Sequence, residues 1–148
     1  MSLTSKEETR MRGAAAPTPW AAVWEWLARA AHYRAVRTLR VAAESGDAER
    51  LVSLLHPGVA VVVDSGEPGH PTNRVVGGVY DAITLLLHGM EAQPGLVIAE
   101  RSVNGQAGLM LSRDGETTAT VTVDFAGPLI SLVWIRLHPE TRRHWNTV

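Results

Sequence analysis

The sequence predicts an α+β fold, with helices at the N-terminal end wrapped by a strongly bent antiparallel sheet. Two observations carry this. Apolar residues recur at helical spacing through the first part of the chain. After Pro94-Gly95 the period changes, and four strand-like runs follow one another through short turn dipeptides. Helices first and consecutive strands last argue against a parallel strand–helix alternation. A bent sheet closed over helices makes a cone, and its mouth is a natural ligand site.

Residues 1–18 are polar and then Ala-rich, and read as a flexible arm ahead of one domain over 19–148. Trp20, Trp24, Leu27 and Ala31 recur at helical spacing on one face. A second helical stretch, His32 to Ser45, groups Tyr33, Val36, Leu39 and Ala43 and turns Arg34, Arg37 and Arg40 outward. Gly46 marks a stop and Asp47 an N-cap for a short helix, Arg50 to Leu55, closed by His56-Pro57. Val59 to Val63 is an unbroken apolar run, the mark of a strand covered on both faces. Asp64 to Asn73 is a Gly- and Pro-containing loop, and Arg74 to Val76 a short strand. Tyr80, Ile83, Leu86 and Leu87 form a helical stripe ending before Gly89. Leu96–Asn104, Ala107–Arg113, Glu116–Phe125 and Leu129–Leu137 are the four late strands, joined by Asn104-Gly105, Asp114-Gly115 and Gly127-Pro128. Pro139 to Trp145 reads as a terminal helix or tail.

Composition narrows the function. The chain has 148 residues, a formal net charge of -1 and no cysteine. That excludes a disulfide framework, a thiolate metal site, a cysteine nucleophile and an iron–sulfur cluster. With 14 basic against 15 acidic residues there is no overall field to draw a phosphate backbone. Lys6 is the only lysine among the basic residues, an arginine bias that weakens any single arginine run as a phosphate signal. No apolar stretch has the length of a membrane span and no secretory signal is visible, so a cytoplasmic protein is expected.

Several local patterns resemble the SnoaL-like branch of the nuclear-transport-factor-2-like superfamily. Ser45-Gly46-Asp47-Ala48-Glu49-Arg50-Leu51-Val52-Ser53-Leu54-Leu55-His56-Pro57 looks like that family's opening signature, and Val59 to Asp64 like its first strand. A narrower likeness runs through Val103-Asn104-Gly105-Gln106-Ala107-Gly108-Leu109, Asp114-Gly115 and His138-Pro139-Glu140-Thr141-Arg142-Arg143-His144. It resembles the C-terminal accessory domain of extracytoplasmic-function sigma factors. There the strand-end loop reads Asp-Gly-Gly-Gly and the tail Asn-Pro-Asp-Lys-Leu; here they read Asp64-Ser65-Gly66-Glu67 and His138-Pro139-Glu140-Thr141-Arg142. The resemblance implies a cone-shaped domain and docking through that loop and tail, by Asp64, Ser65, Gly66, His138, Pro139, Glu140 and Arg142. Two DNA- and polymerase-binding domains should precede such a domain, but a domain needs at least ~50 residues and about thirty are present. The expectation is an excised domain or a free-standing relative, with RNA polymerase or a sigma factor as partner.

The superfamily's enzymes set the alternative: a small-molecule isomerase, cyclase or hydrolase, or a non-catalytic binder of a small apolar ligand. Asp124 would be the base, on the Thr118, Thr120, Thr122, Asp124 face of a strand, if the cone desolvated it. An exposed strand has the same look. Asp64 is the other acid, or simply a turn residue bonding nearby amides. His70 and His88 are the remaining acid–base candidates. No pair of histidines has metal-ligand spacing and no phosphate loop is present, so no metal or cofactor is expected. Arg34, Arg37 and Arg40 read as a solvated face or a contact for an acidic partner, not as a nucleic-acid surface. Trp20 and Trp24 are expected to pack, on their own sheet or on another subunit. Ile130, Leu132 and Trp134 alternate with Val133, Ile135 and Leu137, so both faces of the last strand are apolar. A homodimer through the sheet would cover the second face.

Overall fold

The computed structural model describes residues 19–65 and 73–138. Among them are three helices, α1 (Pro19–Glu44), α2 (Ala48–Leu54) and α3 (Val79–Met90). Six strands complete the set: β1 (Leu55–Asp64), β2 (Asn73–Gly77), β3 (Leu96–Val103), β4 (Gln106–Arg113), β5 (Glu116–Ala126) and β6 (Leu129–Leu137). The proposed arm, the terminal segment from Pro139 and the loop residues Gly66 and His70 lie outside the described residues. Among the described residues no helix is long and apolar enough to cross a membrane.

Contacts divide the chain into two units, Met1–His32 and Tyr33–Val148. The described part of the first is helical from Pro19. Its tryptophans are solvent-facing: Trp20, Trp24 and Trp26 are 75%, 68% and 67% exposed. The two helical stretches read from the sequence are one element. No glycine or proline interrupts Trp20 to Glu44, and alanine is frequent, so nothing breaks the helix at His32.

In the second unit α1 buries Val36, Leu39, Ala42 and Ala43, while Tyr33 stays 37% exposed. Asp47 caps α2 as expected, accepting the Arg50 N–H at 3.1 Å. That helix closes one residue early, at Leu54, and β1 then runs through His56-Pro57. Proline forces the preceding residue into extended backbone. The register of β1 against β6 slips between Leu55 and Ala60, an irregularity that accommodates the missing N–H of Pro57. Helix α3 passes Gly89, which is buried, and stops at Met90.

The sheet order is β2-β1-β6-β5-β4-β3. The late strands form the expected antiparallel meander. Asn104 and Gly105 have φ of 50° and 78°, and Asp114 and Gly115 have 52° and 85°. Positive φ at both central residues is the type I′ geometry whose twist matches paired strands. One pairing departs from the all-antiparallel expectation: β1 lies parallel to β6. The meander leaves β6 with an open edge, and β1, arriving from the helical half, fills it.

Val61, Val63, Leu109, Leu111, Val121, Val133 and Ile135 lie on one face of the sheet and are buried with Leu39, Leu51, Leu85, Leu86 and Met90 of the helices. The Arg ridge is not simply solvated. Arg37 Nε donates to Glu100 Oε1 at 3.0 Å, and Arg40 Nε donates to Glu100 Oε2 at 3.2 Å. Arg40 Nη1 also donates to Glu44 at 3.1 Å. The ridge thus ties α1 to β3 within the same unit.

Candidate functional site

The helix-facing side of the sheet carries the buried core side chains, and a groove lies on its other side. Pairing register defines the opposite, outer face, because residues directly across a ladder point the same way. Trp134 pairs with Val62 on one side and Thr122 on the other, and Thr122 pairs with Gly108. Arg136 pairs with Asp64 and Thr120, and Leu132 with Ala60 and Asp124. A groove of about 310 Å³ lies on this face, lined by Thr120, Thr122 and Asp124 of β5, Leu132, Trp134 and Arg136 of β6, and Val103, Asn104 and Gln106 of the β3–β4 hairpin.

The hairpin wall explains part of the Val-Asn-Gly…Gly-Leu pattern. A Cβ at Gly108 would stand 2.7 Å from the Val121 carbonyl oxygen and 2.9 Å from Val103 Cγ2. Glycine there lets the strands close up and Val103 fold across them. Asn104 and Gly105 make the turn that brings Gln106 opposite Val103.

Among the described residues, no hydrogen bond or ion pair involves the side chains of Asn104, Gln106, Thr120, Thr122, Asp124 or Arg136. Trp134 adds a further signal: its Nε1 is buried and has no acceptor among the described residues. A buried donor left unpaired costs about 1–3 kcal/mol, so native chains seldom leave one without a reason. The sequence marked Trp134 only as an apolar strand residue. Its exposure to a groove depends on register, which the sequence does not give.

The sequence-predicted candidates divide as follows. Asp124 is exposed and lines the groove, so it is not a base desolvated inside a cone. Asp64 is half-buried at the end of β1 and has interactions of its own. It sits opposite Arg136 while Asp124 sits opposite Leu132, four residues away along β6, or about 13 Å. The two acids cannot share a proton. His88 belongs to α3, on the helical side of the sheet, so the structure does not bring it to Asp124. Ser65 is buried and His138 exposed. Gly66, His70, Pro139, Glu140 and Arg142 lie outside the described residues. Three or more metal-ligating side chains do not cluster anywhere among the described residues.

No protein-family model matches the chain, and no curated protein matches it in sequence. Solved structures do. An NTF2-like protein of unknown function from Cytophaga hutchinsonii superposes with a TM-score of 0.50 at 9% identity, over 72% of this chain and 88% of that one. The fold is nuclear-transport-factor-2-like. A protein assigned as a SnoaL-like polyketide cyclase from Jannaschia has the same fold, with a TM-score of 0.51 at 16% identity over 72% of this chain and 85% of that one. The extracytoplasmic-function sigma factor SigJ of Mycobacterium tuberculosis matches with a TM-score of 0.53 at 22% identity, over 77% of this chain. The match covers 44% of the sigma factor's length. At these identities the likeness is one of fold. A nuclear-transport-factor-2-like scaffold hosts unrelated functions, so this chain's own residues must carry the functional argument.

Proposed function

We propose that this chain is a non-catalytic regulatory or interaction domain, which docks on a protein of the transcription machinery through the strand-end loop after Asp64 and the tail that begins at His138. The observation that supports it is the parallel pairing of β1 with β6, in which Asp64 stands opposite Arg136. Parallel neighbours end at the same edge of a sheet. The two segments that resemble sigma-factor docking motifs, far apart in sequence, therefore leave the sheet side by side. His138 is held there by its backbone N–H, which donates to the Thr118 carbonyl at 2.9 Å.

The catalytic alternative has weaker support. Asp124 is exposed, Asp64 is about four residues along the sheet from it, and His88 is on the other side. The test is capture of purified RNA polymerase core and of purified sigma factors by the immobilised chain. Retention of one of them, lost in Asp64→Ala and in His138→Ala but kept in Asp81→Ala on α3, is the expected result. No retention, or equal retention by all variants, would overturn the reading.

A further inference from the structure

We infer that the outer-face groove is a binding site for an extended zwitterion, a small molecule with a carboxylate and an ammonium group joined by an apolar spacer. The inference concerns the groove alone and does not depend on which protein the domain docks on.

The lining is polarised along its length. Arg136 and Thr120 form the row at one end, Trp134 and Thr122 the middle, and Leu132 and Asp124 the other end. The end rows are four residues apart on β6, about 13 Å by strand rise. A cation stands at one end and an anion at the other, too far apart to neutralise each other. Neither is otherwise consumed: Arg136 makes no ion pair among the described residues, and the Asp124 carboxylate makes no hydrogen bond there. Asp64 stands opposite Arg136 and has interactions of its own.

The middle of the groove is apolar in area. Trp134, Leu132 and Val103 supply surface for an aliphatic spacer. Among the described residues the buried Trp134 Nε1 has no acceptor, and the indole it belongs to forms part of the groove lining, where it reports on anything that enters. A carboxylate at the Arg136 end pairs with the guanidinium. An ammonium at the far end meets Asp124. A cavity of about 310 Å³ holds such a molecule but not a folded partner.

The test uses the full chain labelled with nitrogen-15, with the Trp134 indole N–H assigned by its loss in Trp134→Phe. The probes are ω-aminooctanoate, octanoate and octylamine. The zwitterion should shift the Trp134 indole signal saturably, and each single-charge probe should bind about tenfold more weakly, since each gives up one charge-assisted contact. Arg136→Gln and Asp124→Asn, both at exposed positions, should each reduce zwitterion affinity by a similar factor. The affinity should fall as salt rises, because both charges are open to solvent. An unmoved Trp134 signal, equal binding of the three probes, or indifference to both charge variants would overturn the proposal. So would a dimer in which the Trp134 signal stays insensitive to all three probes, since the groove would then be filled by a second copy.

Discussion

At the scale of single residues, Gly108 and Trp134 shape the groove in opposite ways. Gly108 removes a side chain so that β4 and the Val103 wall can approach. Gly108→Ala would press a methyl against the Val121 carbonyl oxygen at 2.7 Å, a backbone atom that cannot swing aside. The expected outcome is a loss of about 1–3 kcal/mol, read as a lower midpoint in urea unfolding. A variant that unfolds at the wild-type midpoint would show that the strands can separate without cost. Trp134 instead adds a donor that has no acceptor among the described residues. Its neighbours across the two ladders are Val62 and Thr122, and Trp134→Phe would keep most of that packing while removing the N–H.

Among the elements, the tie between α1 and β3 shows how similar arginines differ in weight. Arg37 and Arg40 both donate to Glu100, but their side chains are 68% and 24% exposed. A solvent-exposed pair is screened and contributes little, whereas Arg40 is half-covered and also holds Glu44. Arg40→Ala should cost on the order of 1–2 kcal/mol, and Arg37→Ala less than about 0.5 kcal/mol. Thermal unfolding of the two variants checks the order, and equal losses would remove the distinction. The sequence spacing showed that the three arginines share a face. It could not show that Glu100, some sixty residues away, would meet two of them, because that contact depends on how the sheet curls over the helix.

For the molecule as a whole, the outer face of the sheet is the surface that matters. Its β1–β2 side is apolar, with Val62 opposite Val75, and Val75 is 63% exposed. Its β5–β6 side carries the polar groove. A homodimer formed through the apolar side would cover Val75 and leave the groove open. If the chain pairs in this way, Val75→Glu should convert a dimer to a monomer without changing the circular dichroism, with the mass read by light scattering at micromolar concentration. A wild-type chain that is monomeric under those conditions would dispose of the sheet-face dimer. Trp20, Trp24 and Trp26 of the first unit are exposed as well.

Hydrophobic period and turn chemistry by themselves determined the order of the elements, the α+β class and both type I′ hairpins, because these depend on neighbours a few residues apart. They also located Asp47 as a cap and Asp124 on the polar face of β5. Long-range pairing was decided only in three dimensions. The parallel seating of β1 on β6 fixed which face of each strand meets the helices. It set Asp64 opposite Arg136, two residues before His138, and put Trp134 and Arg136 on the outer face. A strand's alternation says that two faces differ. Which face is covered depends on a partner strand far away in sequence, and slipping that register by one residue would reverse every assignment made here.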